Sequence, residues 1–273
     1  MSPDDMESTL DAIRVFANSA NSVRVFESLA DGPTTGSALA EETGASRSTV
    51  ARILKDGESR EWIASEGSQY ELTELGRVMI DEFSEYRTTV EGVQYLGEAI
   101  YWLPRRIRSV DYREFRDADV ITPTDTNPSK PFDFVFERLL TADTVRSVVR
   151  TIPGRFRDSD LLERAASGEV DLDLVIQASW LDSLPPEPDR ITRWRNRAAR
   201  NEVRTYDGDV PLSFHVCDDS VIVWLSEDHG NNRVIQGVLV SENPTVLSWA
   251  RSLYDEYRGE AEPLDPSTLP DGA

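Results

Sequence analysis

Along the first quarter of the chain the apolar positions recur at helical steps and then switch to alternation. Ile13 and Phe16, then Val23, Phe26 and Leu29, predict amphipathic helices over Leu10 to Phe16 and Ser22 to Ala30, and Asp31-Gly32-Pro33 ends the second. Leu39 belongs to a short helix that Gly44 stops in the left-handed conformation, and Ser46 is placed to cap the next one. On that next helix Val50, Ile53 and Leu54 form the buried stripe, while Ser48, Arg52 and Lys55 face outward. Trp62 to Ala64 and Gln69 to Leu72 then read as two short strands around Ser65-Glu66-Gly67-Ser68, and Thr73 caps a further helix.

The order helix, helix, helix, hairpin, helix resembles the winged helix-turn-helix domains of prokaryotic transcriptional regulators. The phrases LAEETGASRSTVARIL and YELTELG carry the likeness, which covers residues 1–76. The resemblance implies double-stranded DNA as partner. It assigns Ser46, Arg47, Ser48, Thr49 and Arg52 to bases or flanking phosphates and Lys55 to the backbone at the helix's far end. The wing departs from basic versions of the family, because it holds Glu66 and no Lys or Arg; Ser68 and Gln69 are its expected contacts. The alternative use of such a unit is a protein-interaction module without DNA.

From Gly76 to Leu103 a helical stretch places Met79, Phe83, Tyr86, Val90, Val93 and Ile100 at steps of four and three, with Pro104 as its stop. Residues 77–104 are therefore a linker helix with two readings: a homodimer seam, or packing on the second domain. Arg105, Arg106 and Arg108 follow, suited to a helix dipole or to phosphate.

Residues 105–258 carry a mixed pattern. Strands are expected at Asp117 to Thr122, Val170 to Ala178, Val203 to Tyr206, Leu212 to Val216, Val221 to Leu225 and Val234 to Val240. Helices are expected at Phe132 to Leu140, Ala142 to Thr151, Leu161 to Ser167, Arg190 to Asn201 and Thr245 to Tyr257. Residues 259–273, acidic and proline-bearing, are expected to be a disordered tail. The fold class is α+β: a winged helix, a linker helix and an α/β domain. The second domain resembles the regulatory domain of methanogenesis-regulator-type and TrmB-type archaeal winged-helix regulators, whose sheet is related to the phospholipase D fold. The Ala118 to Val120 strand, the Phe132 to Thr151 region and the segment WLSEDHGNNRVIQGVLVSENPTVLSWARSLYDEYR carry that likeness.

Phospholipase D chemistry needs a histidine, a lysine two residues on and an aspartate five beyond that. His215 is followed by Cys217 and Ile222 at those places, so no such site is expected and the chain reads as no enzyme. His229 sits in an expected hairpin loop. Two histidines and the single Cys217 supply no zinc set, and neither metal nor cofactor is expected. A small-molecule effector is implied by the resemblance. Ser179 and Trp180, just past a strand's C-terminal end, are candidate ligand residues with Arg193, Arg197 and His215. Arg190, Arg193, Arg197, Arg200 and Arg204 fall on one helical side, open to two readings: a solvated face paired with acids, or an anion-binding surface.

Composition qualifies the DNA reading without removing it. Fifty acids against 29 bases give a net charge of -21, and Lys55 and Lys130 are the only lysines. So many scattered acids with so little lysine resemble proteins of salt-accumulating microbes. With a Debye length of about 3 Å near 1 M salt, distant repulsion from DNA is screened and short contacts decide. No apolar run reaches the length of a membrane span, and the acidic start lacks a secretory core, so the expected compartment is the cytoplasm.

Overall fold

The computed structural model describes residues 3–103, 107, 110–151, 164, 167–183, 188–200, 202–229 and 232–269. The chain divides into two compact units, Met1–Val90 and Glu91–Ala273, with the boundary inside the stretch expected to be a linker.

The first unit contains α1 (Pro3–Ala17), α2 (Ala20–Ala30), β1 (Thr34–Thr35), α3 (Gly36–Thr43), α4 (Arg47–Ser59), β2 (Ile63–Glu66), β3 (Gln69–Leu72) and the first part of α5 (Glu74–Leu96). Its core joins Phe16, Phe26, Leu29, Leu39, Val50, Ile53, Leu54, Trp62 and Ile80. Phe16 stacks on Trp62 with ring centroids 5.6 Å apart and meets Phe26 edge-on at 5.0 Å. Each of these side chains contributes about 1.5–3 kcal/mol by burial. Strand β1, which the sequence pattern did not reveal, pairs with β3 and completes a three-stranded sheet in the order β1-β3-β2. Gly76 lies where any Cβ would collide with the Trp62 carbonyl, so α5 approaches the wing more closely than an alanine permits.

The second unit is a three-layer α/β/α arrangement. Its eight-stranded sheet runs β11 (Glu262–Pro263), β7 (Val203–Tyr206), β6 (Asp171–Gln177), β5 (Thr144–Val149), β8 (Phe214–Cys217), β9 (Ser220–His229), β10 (Asn232–Ser241) and β4 (Asp119–Ile121). Strands β5, β6 and β7 are parallel, and all other pairings are antiparallel. Helices α7 (Lys130–Thr141) and α8 (Pro188–Ala199) cover one face, over clusters built on Val135, Leu139, Trp224, Ile176, Ile191 and Trp194. Helix α9 (Pro244–Glu260) and the short α6 (Ala99–Trp102) cover the other, with Val148, Val175, Phe214, Val246 and Tyr257 between the layers.

Five expectations are corrected. Ala142 to Thr151 is not a helix. Its core is β5, and Val145, Val148 and Val149 imitate a helical step because both faces of this inner strand are buried. The long helix after the wing breaks at Gly97, which takes φ 51°, before α6 begins. The acidic tail is not disordered through residue 269: β11 pairs with β7, and Leu264 and Leu269 are buried against α8 and its neighbours. Arg204 leaves the supposed arginine face, since α8 ends at Ala199 and Arg204 lies on β7. The segment around His229 is ladder more than loop, because Asn232 pairs with His229. Most of Leu161 to Ser167, and Arg105, Arg106 and Arg108, lie outside the described residues.

Candidate nucleic-acid interface

Helix α4 is fixed at both ends by local chemistry. Gly44 adopts φ 69° and stops α3, and the Thr43 hydroxyl, donating to the Leu39 carbonyl at 2.6 Å, braces that stop. Ser46 is extended, and its Oγ accepts the Thr49 N–H at 3.1 Å, starting α4. The Ser48 and Thr49 hydroxyls lie 2.9 and 2.8 Å from the same oxygen. Val50, Ile53 and Leu54 are buried, and Gly57 lets the helix rest directly on the Ile63 side chain.

Arg47, Ser48, Arg52 and Lys55 are exposed, Thr49 is half-buried, and the small Ala51 leaves the middle of the outward stripe without bulk. Arg47, Arg52 and Lys55 form no ion pair among the described residues. Their neighbour Arg60 contrasts with them. It bonds Asp11 at 2.9 Å and Asp56 at 3.3 Å, and the Asp11 hydrogen bond, acting with both carboxylates, raises its pKa. An exposed cation that neutralises no acid of its own keeps its hydrogen-bonding capacity for a phosphate or a guanine edge.

At the wing, Glu66 pairs with Gln69 across a two-residue turn in which Gly67 has φ 63°. Ser68 and Gln69 are exposed at this tip. The backbone of Gln69 is held from both sides, by Glu66 and by Thr35, which makes the tip firmer than a free hairpin.

The candidate ligand residues of the second unit separate into two places. Ser179 is exposed, and its Oγ accepts the Gln177 amide N–H at 2.8 Å while the Gln177 carbonyl oxygen accepts the Val210 N–H at 2.9 Å, which fixes the turn after β6. Trp180, on that turn, lies 5.2 Å from Trp194 of α8, and the Arg197 guanidinium lies 5.5 Å from the Trp194 ring. Arg193 is half-buried and Arg197 buried. His215 is elsewhere, deep in the sheet, and the expectation that it binds ligand is corrected. The Trp224 indole N–H donates to its Nε2 at 2.9 Å, which leaves Nδ1 as the donor to Ser147 Oγ at 2.8 Å. Burial lowers its pKa to about 4, so the ring is neutral and fully engaged in the core.

Residues 10–94 match the model of the HVO_A0261 N-terminal domain, and residues 128–260 match that of the middle domain of the methanogenesis regulatory protein FilR1. Each match covers less than half of the chain, which is similar to these two domain families in those stretches. Among solved structures it is similar to TrmBL2, an archaeal chromatin protein, at 16% identity over 96% of this chain and 100% of that one, with a TM-score of 0.41. It is also similar to Nuc, a phospholipase D family member from Salmonella typhimurium, at 12% identity over 54% and 98%, with a TM-score of 0.40. The methyltransferase RosA from Streptomyces davawensis follows at 18% identity over 77% and 68%, with a TM-score of 0.25. No curated protein matches the chain by sequence.

In the stretch that matches the FilR1 middle domain, His215 sits on β8 among Ser147, Trp224 and apolar side chains. Cys217, two residues on, is buried, and burial raises its pKa to about 12, which leaves it an inert thiol. Among the described residues no three His, Cys, Asp or Glu side chains gather as metal ligands, and no helix is long and apolar enough to cross a membrane. Trp194, an indole at a helical step, is a core residue, fully buried under α8 beside Ile191 and Ile176.

Proposed function

We propose that this protein is a DNA-binding transcription regulator. The outward stripe of α4, in which Arg47, Arg52 and Lys55 are exposed and have no acid partner among the described residues, carries the reading. In this reading α4 enters the major groove, Arg47 and Arg52 address bases or flanking phosphates, Lys55 reaches the backbone, and Ser68 and Gln69 make a minor wing contact. Ser46 acts as the cap that sets the helix's start.

The same reading takes the active form to be a homodimer. Leu75, Val78 and Tyr86 of α5 lie on one helical side and are 50%, 48% and 63% exposed, and Met6, Leu10 and Ile13 line a side of α1. The seam is thus shifted from the one expected, since Met79 and Phe83 pack on the core of their own unit. The FilR1 middle domain then serves as the effector-responsive part, changing DNA affinity through a ligand that binds two states unequally.

The test is a fluorescence-anisotropy titration against DNA selected from the host genome at host-like salt. Arg52→Ala should weaken cognate binding by roughly 5- to 150-fold, the equivalent of about 1–3 kcal/mol for one bidentate base contact. Equal binding by this variant would remove α4 as the reading head. Selection from random DNA that enriches no motif would favour a protein-interaction module instead.

A further inference from the structure

We propose that the hydroxyls of Ser46, Ser48 and Thr49 act as one unit that selects adenine over guanine. The proposal rests on the reading of α4 as the helix that enters the major groove, and it names a base edge that this helix prefers.

Three side-chain oxygens meet at the start of α4. Ser46 Oγ accepts the Thr49 backbone N–H at 3.1 Å, and the Ser48 and Thr49 hydroxyl oxygens lie 2.9 and 2.8 Å from it. A serine hydroxyl has one proton to give and two lone pairs to accept with. Because the backbone N–H takes one lone pair, Ser46 accepts from one neighbouring hydroxyl and donates to the other. Any other arrangement brings three donors to two lone pairs, or sets two oxygens at hydrogen-bond distance with no proton between them.

The consequence falls on the two outer hydroxyls. The one that gives its proton to Ser46 offers an outside partner only lone pairs, and the one that receives keeps its own proton. The trio therefore donates at most once to an outside group, whichever way its bonds run. Helical hydroxyls elsewhere in the chain donate to their own backbone, as Thr43 does to Leu39, Thr141 to Glu137 and Ser252 to Ser248. Ser48 and Thr49 bond only Ser46 among the described residues, so the outward proton and lone pair stay open to a partner. Ser48 is exposed, Thr49 is half-buried, and the run from Ser46 to Lys55 holds no acid.

Adenine presents an N7 acceptor beside an N6 amino donor in the major groove, whereas guanine presents two acceptors, N7 and O6. One outward proton and one outward lone pair fit the adenine edge, as the amide of an asparagine does. Against guanine the second acceptor meets a lone pair. Arg47 and Arg52 only donate and suit guanine, so the trio supplies a discrimination that the arginines of α4 lack.

The test uses the full chain and the DNA it selects from the host genome, read by fluorescence anisotropy. Each adenine of the selected site is exchanged in turn for guanine and for 7-deazaadenine. Affinities are compared as ratios within one protein, so a variant's lost helix stability cancels. In the wild type at least one adenine should lose roughly 5- to 150-fold on exchange for guanine, the discrimination of one bidentate contact, and should weaken with 7-deazaadenine too. Ser46→Gly, which leaves a helix start nearly as stable, frees both outer hydroxyls to donate, and Thr49→Val removes one of them. Both variants should bring the adenine-to-guanine ratio at that position toward unity while other positions keep theirs. A ratio unchanged in both variants overturns the trio, and so does a site where no adenine discriminates against guanine. Loss of binding in Arg52→Ala would then still uphold α4 as the reading head. Selection that enriches no motif overturns the reading of α4 and this inference together.

Discussion

The Ser46 hydroxyl caps α4 with one hydrogen bond to the Thr49 N–H, so Ser46→Ala should lower unfolding free energy by about 1 kcal/mol in urea denaturation. His215 gives the molecule a pH dependence of definite sign. Its folded pKa, about 4, lies below the ordinary 6.5, so the unfolded chain takes the proton first. The stabilisation is complete above pH 6.5 and is lost as pH falls toward 4, by about 3 kcal/mol in total. Denaturant melts across that window should show the slope, and His215→Asn should lack it. Ser46 was legible in the sequence because capping is a local matter. His215 was not, because its partners Ser147 and Trp224 come from other strands, and nothing in its own segment announces a histidine held in the core.

Among elements, the helix-turn-helix and the wing hairpin were legible, since they are one-sided and their boundaries are marked by Gly44, Ser46 and Thr73, while α1 begins at Pro3 rather than Leu10 and the two-residue β1 went unseen. The inner sheet was less so. Strand β5 is buried on both faces, and two-sided burial erases the alternation by which a strand declares itself, whereas β6 kept it in Leu172, Leu174 and Ile176 and was expected. The last strand was hidden for the opposite reason, because β11 spans only Glu262–Pro263 and its anchors, Leu264 and Leu269, are two leucines in an acidic, proline-bearing run. These anchors fill the layer over Ile191 and Val203, so Leu264→Ala should cost roughly 2–5 kcal/mol. A melting temperature unchanged by that substitution would return the segment to the status of a tail.

For the whole molecule, a net charge of -21 opposes compaction through self-repulsion, and added salt relieves it. Melting temperature should therefore rise between dilute buffer and 1 M KCl, in a scan with chloride as the only variable. DNA binding should show a shallow salt dependence if α4 is the main contact, since it brings Arg47, Arg52 and Lys55 for counterion release, a logarithmic slope of about -3 per winged unit. Salt also removes the mutual repulsion that keeps copies of an acidic protein apart, and the eight-stranded sheet has two open sides. One closes with two residues, the second a proline with no N–H to donate, and the other with the three of Asp119–Ile121. In concentrated salt, where charge no longer guards against fibre growth, the two short outer strands offer an incoming strand little ladder, and the exposure to watch is the part of β10 that β4 does not cover, since β4 pairs it only at Val238–Val240.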